Sequence, residues 1–130
     1  MTLVLDTSIL IAIEKKDKAI LNKIEELSKV HYIPAAITFV NYFEFYFGAM
    51  AKNIRNRQVM AEFINKFSCL KASEKTAEIL AELKYKYDGK GITIALADLI
   101  IASQVIENNM VLVTKDRDFE KINELRKIIL

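Results

Sequence analysis

A chain of 130 residues, 52% hydrophobic and 28% charged, is the size of one domain able to bury a core, and residues 1–130 are read as such. A net charge of only +2 excludes an electrostatically driven nucleic-acid binder of the histone type, leaving phosphate contact to a local basic patch or a metal ion. The single cysteine, Cys69, excludes an intramolecular disulfide and a thiolate zinc site, no run approaches the roughly 20 apolar residues of a membrane span, and a reducing cytoplasm is the expected setting.

The chain opens on Leu3-Val4-Leu5-Asp6-Thr7-Ser8, a β-favouring run ending on a carboxylate and two hydroxyls, which predicts a buried strand turning into a helix. Asp6 then stands at the carboxyl end of a central strand, the edge where open α/β sheets bind ligands. Capping of the next helix is the structural alternative for the same residue. Ser8 to Ile13 and Ala19 to Leu27 have helical spacing, and the charged stretch Glu14 to Lys18 between them leaves no leader-like apolar segment. Val30 to Ile33 reads as a short strand closed by Pro34, with the lone histidine, His31, near its start as a surface or packing residue.

Ala35 to Met50 reads as a helix whose Phe39, Tyr42, Phe43, Tyr46 and Phe47 form one face meant for the core, part of it alternatively a surface for another protein chain. Lys52 to Gln58 reads as a polar connection, Val59 to Phe67 as a helix and Ser68 to Ala72 as a strand. Ser73 is the expected N-cap of an amphipathic helix from Glu74 to Tyr87. The loop Asp88-Gly89-Lys90-Gly91 is too short to cradle a phosphate. Ile92 to Asn108 is a nearly all-apolar helix, Met110 to Val113 a second buried strand, and Thr114 to Phe119 the turn leaving it. Glu120 to Leu130 is expected as a short helix with an edge strand at Ile128 to Leu130. Apolar strands alternating with helices predict an α/β fold, a parallel sheet covered on both faces.

Two carboxylates interrupt the apolar helices. Glu44 is the only charged residue between His31 and Lys52, and Asp98 is the only charge between Lys90 and Glu107. An unpaired buried carboxylate costs several kcal/mol or is pushed toward its neutral form, so each needs a partner. Their helical neighbours are small or polar: Asn41 and Gly48 beside Glu44, Ala95 and Ala102 beside Asp98. Such residues allow close helix packing and equally leave room in front of a carboxylate. Asp116, three residues past the second strand, serves as a turn-former or as a further acid, with Asp118 close behind. If the two apolar strands are parallel neighbours, Asp6 and Asp116 meet at one sheet edge.

Two carboxylates about 4 Å apart repel by about 4 kcal/mol at an effective dielectric near 20, so a cluster of three or four calls for a cation. Oxygen donors without His or Cys select Mg²⁺ or Mn²⁺. The residues permit metal-assisted phosphodiester hydrolysis.

Asp6-Thr7-Ser8 after a strand, Glu44, the run Ala97-Asp98-Leu99-Ile100-Ile101-Ala102, and Leu112-Val113-Thr114-x-Asp116-x-Asp118-Phe119 resemble the PIN domain in order and spacing, and more narrowly a VapC-type toxin ribonuclease. The resemblance spans essentially the whole chain. It implies a three-layer α/β/α sandwich with a mostly parallel sheet and places Asp6, Glu44, Asp98 and Asp116 at the family's acidic positions. It also implies single-stranded RNA as substrate, a homodimer, and a VapB-like antitoxin protein that occupies the acidic cleft. Two departures stand out. Many members carry Asn where Asp116 stands and a later acid, so Asp118 shares or replaces its role; the tryptophan-containing tail is absent.

In this reading Asp6, Asp98, Asp116 and Asp118 hold metal, with Glu44 as ligand or base, and Thr7, Ser8 and Thr114 orient ligands or the scissile phosphate. Lys52, Arg55, Arg57, Lys115 and Arg117 are the available RNA contacts, although such charges are commonly a solvated face. Two other classes fit parts of the pattern. A non-cleaving PIN-like module would bind RNA or protein through the same acids. A phosphate-receiving domain would need a second acid beside Asp6 and an acceptor Asp after a middle strand, and the sequence has neither.

Overall fold

The computed structural model describes residues 1–130, the side chains of Tyr32 and Ile33 excepted. Its strands β1 (Thr2–Leu5), β2 (Tyr32–Thr38), β3 (Ser68–Leu70), β4 (Val111–Thr114) and β5 (Lys127–Ile129) form one sheet ordered β3-β2-β1-β4-β5. Every pairing is parallel. The helices are α1 (Thr7–Glu14), α2 (Lys18–Ser28), α3 (Phe39–Ala49), α4 (Ile54–Ile64), α5 (Glu74–Gly89) and α6 (Leu96–Glu107).

Side chains alternate across the central strands as the pleat requires. Val4 and Leu112 point to a cluster with Leu83 and Tyr87 of α5 and Leu99, Ala102 and Val105 of α6. Leu3, Leu5, Val111 and Val113 point the other way, to Ile9 and Leu10 of α1, Ile20 of α2, Phe45 of α3 and Ile64 of α4. A sheet buried on both faces explains why its strands are unbroken apolar runs. The expected three-layer α/β/α sandwich is the fold found. Strand order runs outward from β1 to β2 and β3, then restarts on the other side with β4, so the crevice at the carboxyl ends of β1 and β4 is a topological switch point.

The structure departs from expectation at five places, four of them element boundaries. β2 continues through Pro34 to Thr38 instead of closing there. Its register with β1 shifts between Thr2 and Val4, and such an irregularity accommodates a residue without an N–H. α3 accordingly begins at Phe39, not Ala35, where Thr38 and Asn41 form a capping box. Second, the connection expected over Lys52 to Gln58 is confined to its first two residues: the Asn53 side chain accepts from Asn56 N (2.9 Å) and starts α4 at Ile54. Third, α6 begins at Leu96 rather than Ile92, which puts Asp98 in its first turn. Fourth, no α-helix follows Glu120; a 3₁₀ turn, Arg117–Lys121, leads to β5.

The fifth departure is the aromatic face. Phe39, Phe43, Tyr46 and Phe47 are exposed, Phe43 and Phe47 by 61% and 66%. α3 instead buries Val40, Asn41, Phe45 and Ala49, because sheet and neighbouring helices lie on that side. Tyr42 alone of the five packs partly against the core.

Candidate metal and nucleic-acid site

Asp6 ends β1. Its N–H bonds to Val113 O of β4 (2.9 Å), and its carbonyl accepts from Ile9 N and Leu10 N (both 3.0 Å) to start α1. The carboxylate takes no part in capping that helix. It turns instead into the crevice, where Oδ2 accepts from Thr114 Oγ1 at 2.6 Å and from Ser8 Oγ at 3.4 Å, and Oδ1 accepts from Asn41 Nδ2 at 3.0 Å. Asp6 is buried, and burial pushes its carboxyl up against the opposing pull of the Thr114 and Asn41 donors.

Glu44, on the second turn of α3, accepts from Thr7 Oγ1 at 2.7 Å. Asp98 projects from the first turn of α6, a position where Asp suits the helix dipole. Asp116 caps the 3₁₀ turn, its Oδ1 accepting from Asp118 N at 2.9 Å. Thr114 Oγ1 in turn accepts from Asp116 N (2.9 Å), so one hydroxyl ties Asp6 to the loop that carries Asp116. Lys115 N donates to Ser8 Oγ at 3.2 Å.

Asp98, Asp116 and Asp118 each offer a carboxylate oxygen, and the three oxygens lie within 4.8 Å of one another. Asp6 and Glu44 stand outside that triplet. All four other acids nevertheless act on Asp98: its carboxyl is pushed up to about 6 by burial first, and then by the charges of Asp116, Asp6, Asp118 and Glu44. Among the described residues, Lys121, with Nζ 4.0 Å from Asp118 Oδ1, is the one cation paired with the group. Arg117 pairs with Glu120 at 2.8 Å. An oxygen-only donor set with its negative charge left largely uncompensated fits a hard divalent cation.

From Glu44 a groove of about 410 Å³ runs past Gly48 to Lys52, with Lys15 and Asn56 on its walls. Of the basic residues singled out in the sequence, Lys52 is the one that lines it. Arg55 and Lys115 are exposed. The Arg57 guanidinium is committed to the backbone, donating to Met50 O (3.3 Å) and Lys52 O (3.4 Å) at the end of α3.

Asn41 was legible only as a small polar neighbour of Glu44. It is wholly buried and hydrogen-bonded to Asp6 and to Thr7 Oγ1 (3.2 Å). The signal available was the pattern Thr38-x-x-Asn41, a capping pair three residues before an isolated acid. Gln104 gave no comparable signal; buried in α6, it accepts from Phe39 N at 3.2 Å and donates to Leu70 O at 3.1 Å, holding the start of α3 against β3.

A parallel sheet that gathers acids from β1, α3, α6 and the loop after β4 at its switch point defines an α/β/α domain with an acidic, cation-type centre. Residues 3–125 match the PIN domain, and the chain belongs to that family. It is similar to Ribonuclease VapC2 of Rickettsia felis, with 28% identity over 127 residues covering 96% of this chain and 95% of that protein. Among solved structures it is similar to VapBC2 from Rickettsia felis bound to a DNA fragment from their promoter, with a TM-score of 0.86 and 28% identity, covering 100% of this chain and 99% of that one. VapBC-1 from nontypeable Haemophilus influenzae shares the fold with a TM-score of 0.82 at 21% identity, covering 99% and 98% of the two chains.

Proposed function

We propose that this chain is a divalent-metal-dependent endoribonuclease acting on single-stranded RNA, the toxin of a toxin–antitoxin pair whose VapB-like partner restrains it. The observation that carries this reading is the convergence of five carboxylates on one crevice, with Asp98 pushed up to about 6 by burial and then by its acidic neighbours. Membership of the PIN family and the likeness to Ribonuclease VapC2 support a nuclease.

Asp98, Asp116 and Asp118, with Asp6 behind them, would hold Mg²⁺ or Mn²⁺. Such an ion, when bound, acidifies a water and offsets charge on the phosphate. The chain's own part is preorganisation. Thr114 and Ser8 donate to one oxygen of the Asp6 carboxylate, and Thr7 donates to one Glu44 oxygen, leaving the other to accept a proton from an attacking water. Lys52 meets a phosphate along the groove, and Arg55 and Lys115 are exposed cations outside its lining; Arg57 and Arg117 contribute through the backbone and Glu120 rather than directly.

The partner surfaces are separate. The groove beside Glu44 suits an antitoxin segment that blocks the acids. Phe39, Phe43, Phe47 and Met50 are large apolar side chains exposed together on one face of α3, which supports pairing of two copies.

A substrate competition tests this reading. With Mn²⁺, the purified chain is expected to cut single-stranded RNA while sparing duplex RNA and single-stranded DNA of the same sequence. Equal cutting of DNA would overturn the RNA assignment.

A further inference from the structure

Asn41 uses all of its polar valences inside the protein. Its Oδ1 accepts from Thr38 N (3.1 Å) and from Thr38 Oγ1 (2.7 Å), while Nδ2 donates to Asp6 Oδ1 (3.0 Å) and to Thr7 Oγ1 (3.2 Å). The orientation of the amide follows from these partners. Thr38 N–H can only donate, so it must face the oxygen, and the nitrogen is thereby aimed at Asp6 and Thr7. Because the Thr7 hydroxyl accepts from Asn41, its single proton is directed to Glu44 Oε1 at 2.7 Å. One side chain therefore sets the first acid directly and the second through a relay. The Asp6 carboxylate, held at Oδ1 by Asn41 and at Oδ2 by Thr114, cannot rotate about its own bond without losing a donor at each end.

We propose that Asn41 is a positioning residue that locks Asp6 and, through Thr7, Glu44 into a single geometry for capturing a divalent cation. The inference rests on the metal-nuclease reading and adds to it a residue that contacts neither substrate nor ion. Outer partners of metal ligands typically control affinity or activity by about 10- to 100-fold.

A cap and a site share this amide, and they can be separated. Asn41→Leu removes both donors at nearly constant shape. Asn41→Ser, smaller and able to admit water, is the variant that folds if the leucine does not. Thr38→Val removes the hydroxyl of the capping box yet keeps the Thr38 N–H that orients Asn41. Mn²⁺ affinity of each folded chain is measured by calorimetry, alongside kcat and KM for RNA at saturating Mn²⁺.

The expected result is Mn²⁺ binding at least tenfold weaker in the Asn41 variants, with a reduced kcat and KM within threefold of the parent. Thr38→Val should melt lower and bind Mn²⁺ within twofold of the parent. Parental Mn²⁺ affinity in either folded Asn41 variant, or an equal loss in Thr38→Val, overturns the proposal. If the parent chain itself binds no Mn²⁺, the metal-nuclease reading fails, and this inference falls with it; a parent that binds while Asn41→Leu binds equally well removes only the role given to Asn41.

Discussion

Thr114 Oγ1 donates to Asp6 Oδ2 at 2.6 Å, joining the carboxyl ends of two strands that lie 108 residues apart in sequence. The same oxygen accepts from Asp116 N, so a single buried hydroxyl connects β1, β4 and the acidic loop. Parallel pairing makes this possible: Leu5 sits opposite Val113, which brings the next residue of each strand side by side. Thr114→Val keeps the shape and removes the link. Leaving a buried carboxylate oxygen and a backbone N–H short of a partner is expected to cost about 1–3 kcal/mol in urea unfolding. The lost donor also lets burial push Asp6 higher. A valine variant as stable as the parent would contradict the account.

Asp98 gives the ion-free chain a pH signature. The folded chain, with this carboxyl pushed up to about 6, retains a proton that the unfolded chain releases nearer 3.8. The group's contribution to stability is therefore full below about pH 4 and lost as pH rises through about 6. In EDTA the chain should lose ~1–2 kcal/mol from this source across that window, a modest amount because a half-exposed carboxyl is screened by solvent. Asp98→Asn removes this dependence and should melt ~3–6 °C above the parent at pH 7.5. Thermal melts at pH 4.5 and 7.5 read both outcomes; an asparagine variant that melts lower at pH 7.5 would refute the repulsion assigned to Asp98.

Added Mn²⁺ should reverse that order. An ion that binds only the folded chain stabilises the parent and leaves Asp98→Asn behind. Asp116 and Asp118 are expected to share the burden, since both oxygens lie within 4.8 Å of Asp98. Asp116→Asn and Asp118→Asn should each weaken Mn²⁺ binding by about tenfold or more, as calorimetry would show. Unchanged affinity in Asp118→Asn would reduce its part to pairing with Lys121.

The aromatic face of α3 makes a prediction about association. Phe43 and Phe47 stack on each other in solvent, with ring centroids 5.8 Å apart. Replacing both with Ser should shift the chain from dimer to monomer in light scattering and lower its unfolding midpoint only by the association lost, so that variant and parent melt alike at a dilution where both are monomeric. A large loss of stability would mean that the residues pack in the core after all.

How much of this was legible beforehand depended on what each residue answers to. The strands at Leu3 to Leu5 and Val111 to Val113 were readable because a sheet covered on both faces demands continuous apolar runs. The isolated acids Glu44 and Asp98 were readable because charge inside an apolar helix is costly. The start of α3 was not. Its apolar pattern continues without a break from β2, and only the Thr38–Asn41 capping box marks the boundary. The aromatic face misled because spacing reveals that side chains share a side, never which side meets the sheet. The role of Asn41 needed the juxtaposition of α3 with the β1–α1 turn, a contact across 35 residues of sequence.

The most direct test is cleavage of a mixed-sequence single-stranded RNA by the purified chain, stripped with EDTA and then resupplied with Mn²⁺ or Mg²⁺, beside Asp98→Asn under the same conditions. The account predicts cutting that vanishes on stripping, returns with the ion, and is absent from the asparagine variant. Cutting that persists in EDTA, or that survives in Asp98→Asn, would contradict it.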